Sequence, residues 1–173
     1  MALSYNHWKK LFLFCLGLTI GSAFCMKWME GDFWANGEKF TIVGLELFYP
    51  KEKVMAVLAG LDDRVKTVLG YHLYFDFAFM AGVYPGIAAL CTMAKEKVIA
   101  GRWKKLLFLL AVLQLAAWAG DIAENMYLLK WLKQPVIGND FGGYHFIVAA
   151  KWIIALTGAL VAAVVFVVRR KKN

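Results

Sequence analysis

The sequence predicts an all-α fold, an integral membrane four-helix bundle forming a single domain over residues 1–173, with a partly structured outer loop of about 44 residues. Three observations carry this expectation. Hydrophobic residues make up 61% of the chain and charged residues 18%, whereas an ordinary soluble domain holds about 45–50% and about 25%. The apolar excess falls in four long blocks, as in a chain that uses the bilayer as solvent. The basic residues lie beside those blocks on alternate sides.

The first block, residues 11–26, follows Lys9 and Lys10. It is short enough to compete with a signal peptide, but Gly21-Ser22-Ala23 is a poor cleavage site, so an uncleaved helix is expected. The second span is residues 71–94, the third 106–129 and the fourth 144–168. Each of these three is long enough to cross about 30 Å of hydrocarbon. The small-residue patterns Gly17-x-x-x-Gly21 and Gly82-x-x-x-Gly86 permit close helix approach, either inside the bundle or across a homodimer, and Pro85 can kink the second span.

Eleven of the twenty basic residues fall in three clusters: Lys9 and Lys10, then Lys95, Lys97, Arg102, Lys104 and Lys105, then Arg169, Arg170, Lys171 and Lys172. Glu96 is the only acid among them. On the opposite side eight basic residues balance eight acids, Glu46 among them. This is the positive-inside pattern, and it puts both termini on the cytoplasmic side of the membrane. With no basic stripe interleaved with aromatics elsewhere, the net charge of +8 is not a nucleic-acid signal.

Residues 27–70 form a connection too long to be a plain turn. Ala35-Asn36-Gly37 signals a turn ahead of Phe40-Thr41-Ile42-Val43, a β-branched run expected to form a short strand or hairpin. Beyond Pro50, Val54, Leu58 and Leu61 recur at helical spacing, and Asp62 and Asp63 are placed to cap a helix that runs into the second span. The loop is read as an amphipathic cap on the outer end of the bundle.

Four formal charges remain inside the spans: Asp76, Asp121, Glu124 and Lys151. At 1.5 Å per residue they lie roughly 8 to 12 Å below the outer boundary, in one layer. Asp121, Glu124 and Asn125 stand at i, i+3 and i+4, with Gln114 two turns below on the same stripe. A charge at the bilayer centre costs about 2.5–3.5 kcal/mol on the insertion scale, so the stripe must face inward. Three acids against one lysine leave two negative charges that need protons, a cation or a cationic ligand. That set suits acid–base chemistry or proton-coupled binding. It also suits plain interhelical hydrogen bonding. Asp76, Asp121, Glu124 and Lys151 are therefore the candidate catalytic residues, with Tyr84, Asn125, His72, Gln114 and Trp152 as candidate ligand-binding residues.

No metal or other cofactor is expected, since His72 and His145 lack any H-x-x-x-H or H-x-x-E spacing. Cys15, Cys25 and Cys91 include no C-x-x-C, which argues against a thiol-oxidising enzyme. No G-x-S-x-G, P-loop, G-x-G-x-x-G or H-E-x-x-H is present.

From Tyr71 onward the chain resembles a largely uncharacterised family of small bacterial four-span membrane proteins. The likeness rests on Tyr71-x-x-x-x-Asp76 with Tyr84 and Pro85, on Asp121-Ile122-Ala123-Glu124-Asn125, and on Ala150-Lys151-Trp152. It implies a membership and a residue set without an activity. In topology alone the chain also resembles the sterol-isomerase and sigma-2-receptor-like (EXPERA) group, in which membrane-buried acids face a sterol or amine cavity. The first span here has no acid, and the acids of spans two and three follow a different pattern.

Three functions follow as expectations. The first is an outer-leaflet cavity that binds or acts on a lipid-like or amine-bearing small molecule, in contact with membrane lipids. The second is a small proton- or ion-coupled carrier. The third is a structural or assembly protein in which the charges are glue. A cavity open toward lipid favours the first, a polar path to the cytoplasm the second, and a filled interior the third.

Overall fold

The computed structural model describes residues 4–99 and 101–170. Lys171 and Lys172 of the basic tail lie outside the described residues. The chain is an all-α bundle of four long apolar helices: α1 (Tyr5–Met29), α3 (Asp63–Glu96), α4 (Arg102–Lys133) and α5 (Phe141–Arg170). A short helix, α2 (Lys51–Ala59), belongs to the connection between α1 and α3. All four long helices are long and apolar enough to cross a membrane, which makes this a multi-pass membrane protein.

Each helix extends beyond the apolar run that foretold it. The N-terminal extension of α3 has a local cause: the Asp62 carboxylate accepts from the backbone N–H of Val65 at 2.7 Å and satisfies an otherwise orphaned donor. On α4 the buried positions are Leu107, Leu110, Gln114, Ala117, Asp121, Glu124, Asn125, Leu128 and Trp131, a seam recurring every three or four residues. Leu109, Val112, Leu115, Ile122 and Met126 on its other faces are exposed, as hydrocarbon contact requires.

The helices are not packed equally. α3 touches α1, α4 and α5, and α4 packs on α5, but α1 leans on α3 and scarcely meets α4 or α5. The close approach of α1 to α3 depends on Gly82 and Gly86. A Cβ at Gly82 would lie 2.9 Å from the backbone N of Thr19 and the carbonyl of Cys15, and one at Gly86 3.1 Å from the Cys15 Cβ. This pair therefore serves helix packing inside the chain. Gly17 and Gly21 have open space around them.

The long connection folds into the expected cap, with one change. Its hairpin pairs Trp34 with Lys39 and Ala35 with Glu38. Asn36 and Gly37, both at positive φ, form the two-residue turn that matches strand twist. The β-branched run, read as a strand, is not one: Ile42 and Val43 start a helical segment that widens to a π-helical turn over Gly44–Phe48. Burial explains the difference. Ile42 and Leu45, three residues apart, both enter one apolar cluster with Val54, Leu58, Leu61, Leu69, Leu73, Trp131 and Tyr144, which helical spacing allows and strand alternation does not. The Tyr144 hydroxyl donates to the Leu45 carbonyl at 3.5 Å, and His145 Nε2 lies 2.9 Å from the Leu47 carbonyl, so the start of α5 holds this segment down.

Candidate functional site

Asp121, Glu124 and Asn125 reach the interior because they occupy the α4 seam, and Lys151 meets them from α5. Its ammonium is ion-paired with Asp121 and, at 2.5 Å, with Glu124. Lys151 is 6% exposed and Glu124 0%, so this is a desolvated pair in which each partner is indispensable to the others. The Tyr84 hydroxyl, from α3, donates to the second oxygen of Asp121 at 2.7 Å. Asn125 donates to Asp76 at 2.7 Å and to the Leu73 carbonyl at 3.3 Å. The structure thus gathers Asp76, Tyr84, Asp121, Glu124, Asn125 and Lys151 into a single layer.

Beside that layer lies a cavity of about 460 Å³. Its rim at the cap end carries Lys27, Glu30, Ile42 and Val43; its middle carries Glu46, Asp76, Asp121, Lys151, Tyr84 and Trp152. Its inner reach is apolar, with Val83 and Ile87 from α3 and Ala155, Leu156 and Ala159 from α5. Ala23 and Met26 of α1 supply the facing wall. Since α1 and α5 scarcely touch, and Leu156 is exposed, the cavity opens sideways between them, onto the surface that faces lipid.

Three of the residues singled out in the sequence, Gln114, Glu124 and Asn125, do not line it; Asn125 reaches it only through its bond to Asp76. Gln114 lies deeper, donating to the Leu110 carbonyl at 3.1 Å and the Ile154 carbonyl at 3.4 Å, and closes the gap over Gly158. It is a packing residue of the inner bundle, because two turns along the stripe carry it past the cavity floor. Glu124 is covered by Lys151 and does not reach the wall. His72 and Trp152 do line the cavity. Both ring nitrogens of His72 are buried without a hydrogen-bond partner, and its ring packs on Phe33 with centroids 5.3 Å apart.

One residue of the site was missed. Glu46, counted with the solvated acids of the outer side, is buried and lines the cavity from the π-helical turn of the cap. Burial pushes its carboxyl above the ordinary glutamate range, an effect that nearby Asp121 reinforces and Lys151 only partly offsets. The buried layer therefore holds four acids and one lysine, where three acids were expected. A signal existed in Gly44-Leu45-Glu46-Leu47-Phe48, a lone acid inside an apolar run.

Among the described residues no group of three or more His, Cys, Asp or Glu side chains is arranged to hold a metal ion. No family model matches the chain, and no curated protein or solved structure matches it either.

Proposed function

We propose that the chain is a protein of the bacterial cytoplasmic membrane, with both termini cytoplasmic and the cap outside, whose cavity binds or acts on a lipid-like or amine-bearing small molecule. The molecule enters from the outer leaflet between α1 and α5. The single observation that carries this reading is the shape of the cavity: a charged layer at one end, an apolar reach at the other, and a lateral mouth. A volume of about 460 Å³ lies within the range of small-molecule sites. An amphiphile satisfies both ends at once, since its head meets the charges while its chain stays in apolar surroundings.

The carrier reading has less support. Between the charged layer and the far end of the bundle, the described interior is filled by Met80, Ala117, Leu107, Leu110, Cys91, Ala94 and Ala162, interrupted by the side chain of Gln114, whose amide bonds backbone carbonyls. The structural reading describes part of the layer well, since Lys151, Asp121 and Glu124 do tie α5 to α4, but it leaves the cavity without a purpose. The resemblance to bacterial four-span proteins enters this reading through the same residues.

The test is native mass spectrometry of protein taken from its own membrane in mild detergent. A retained amphiphile is expected, and it should be lost in Ala155→Phe, which fills the apolar reach. Protein that emerges empty, or a molecule held equally well by the filled variant, would contradict the proposal.

A further inference from the structure

The charges around the cavity do not cancel evenly, and the imbalance indicates what the head of a bound molecule must carry. At the rim, Lys27 is paired with Glu30 at 2.5 Å. In the layer, Lys151 is committed to Asp121 and Glu124, and Tyr84 to Asp121. Two cavity-lining carboxylates are left without an ion pair among the described residues. Asp76 accepts one neutral hydrogen bond, from Asn125, and Glu46 has no ion pair among the described residues. Two acids facing an apolar space, whose one nearby cation, Lys151, is already ion-paired with Asp121 and Glu124, are costly unless a further cation joins them.

Beside them stands a second unsatisfied group. His72 is 1% exposed, lines the same cavity one helical turn outward of Asp76, and has both ring nitrogens unpartnered. A neutral imidazole offers one donor and one acceptor, which is the complement of a hydroxyl. The indole N–H of Trp152, also without a well-directed hydrogen bond, adds a donor near Glu46.

We infer that Glu46 and Asp76 form a clamp for a protonated amine, that His72 reads a hydroxyl on the neighbouring carbon, and that the ligand is a single-chain amino alcohol whose hydrocarbon runs along Val83, Ile87, Ala155 and Leu156. This rests on the amphiphile-cavity reading above and narrows it to one head-group chemistry. It also gives the cap a direct role. Glu46 is carried into the layer by a segment outside the spans, so the head of the ligand is held between the cap and α3, and the cap is part of the binding site.

The experiment compares sphinganine, octadecylamine and octadecanol for binding to purified full-length protein, in wild type and in Glu46→Gln, Asp76→Asn, His72→Phe and, as an exposed control on α2, Glu52→Gln. The three probes share a chain length and differ in the head. Wild type should prefer the amine to the alcohol by roughly tenfold or more, the scale of a charge-assisted hydrogen bond, and sphinganine to octadecylamine by a smaller factor. Glu46→Gln and Asp76→Asn should each erase the amine preference while still binding octadecanol, and His72→Phe should erase only the preference for sphinganine. Glu52→Gln should behave as wild type. Equal binding of amine and alcohol to wild type would overturn the clamp while leaving the cavity reading intact, whereas binding of none of the three would overturn both. If a variant also loses octadecanol, its fold has failed, and the wild-type ranking alone decides.

Discussion

Two groups of acids share one layer of this bundle, and they are served differently. Asp121 and Glu124 are matched by Lys151, with a tyrosine hydroxyl completing Asp121. Glu46, buried, and Asp76, half-buried, line a cavity; Asp76 accepts from the Asn125 amide of α4, and neither has an ion pair among the described residues. The difference teaches that intramembrane charge alone does not mark a binding site. The paired acids tie α4 to α5; Asp121 and Lys151 also reach the cavity wall, but Glu46 and Asp76 do so without an ion pair among the described residues, and on the proposed reading that is where a ligand gains.

Breaking the paired half should have the largest effect. Lys151→Met strands two carboxylates at the α4–α5 contact, and removing one partner of a buried ion pair costs roughly 3–5 kcal/mol. Thermal unfolding in detergent should show a large fall in midpoint or loss of folded protein. A midpoint equal to that of the parent would mean that the ion pairs contribute nothing.

The wall of the cavity provides the next contrast. Gly82 is closed against Thr19 and Cys15, whereas Gly17 faces open space on the same helix pair. Gly82→Leu should push α1 off α3 at a cost of about 1–3 kcal/mol, the usual penalty for overpacking. Gly17→Leu should change monomer stability by less than about 0.5 kcal/mol. Size measurement in detergent separates a further possibility: if Gly17→Leu dissociates an oligomer, the open glycine face is a dimer contact.

Glu46 gives the smallest and most pH-specific effect. Because burial holds its carboxyl above the ordinary range, the folded protein binds this proton more tightly than the unfolded chain does. The stabilising contribution is complete below the ordinary value of about 4.3 and is lost as pH rises through the raised folded value. Glu46→Gln, neutral at every pH, should melt with the parent in acid and above it in alkaline buffer. Parallel melting curves across the whole range would show that Glu46 is solvated.

Much of the layer was legible in the sequence because a helix converts spacing into direction. Asp121, Glu124 and Asn125 at i, i+3 and i+4 had to share a face, and a face bearing two acids had to be internal. Depth counting then placed Lys151 and Asp76 beside them. Glu46 escaped because hydropathy assigns a residue to the loop in which it stands, and only tertiary folding returns that loop to the bundle. The lateral mouth escaped for a related reason: nothing in the apolar run of α1 tells whether it completes a bundle or leans on one neighbour. The hairpin shows a local limit. Asn36-Gly37 marked its turn, but the following β-branched residues obeyed the cap's apolar cluster rather than their own strand preference.

The division of the layer into a structural half and a ligand-facing half is tested most directly by carrying Asp76→Asn and Glu124→Gln through the same two measurements, thermal midpoint and retention of the native amphiphile. Asp76→Asn should keep a midpoint close to the parent, since Asn preserves the size of the side chain and can still accept from Asn125, and should lose the retained molecule. Glu124→Gln should lower the midpoint by breaking its pair with Lys151, while whatever protein remains folded keeps its ligand. If both variants lose stability together and retain the molecule equally, the four acids act as one structural cluster and the cavity is not read by its carboxylates.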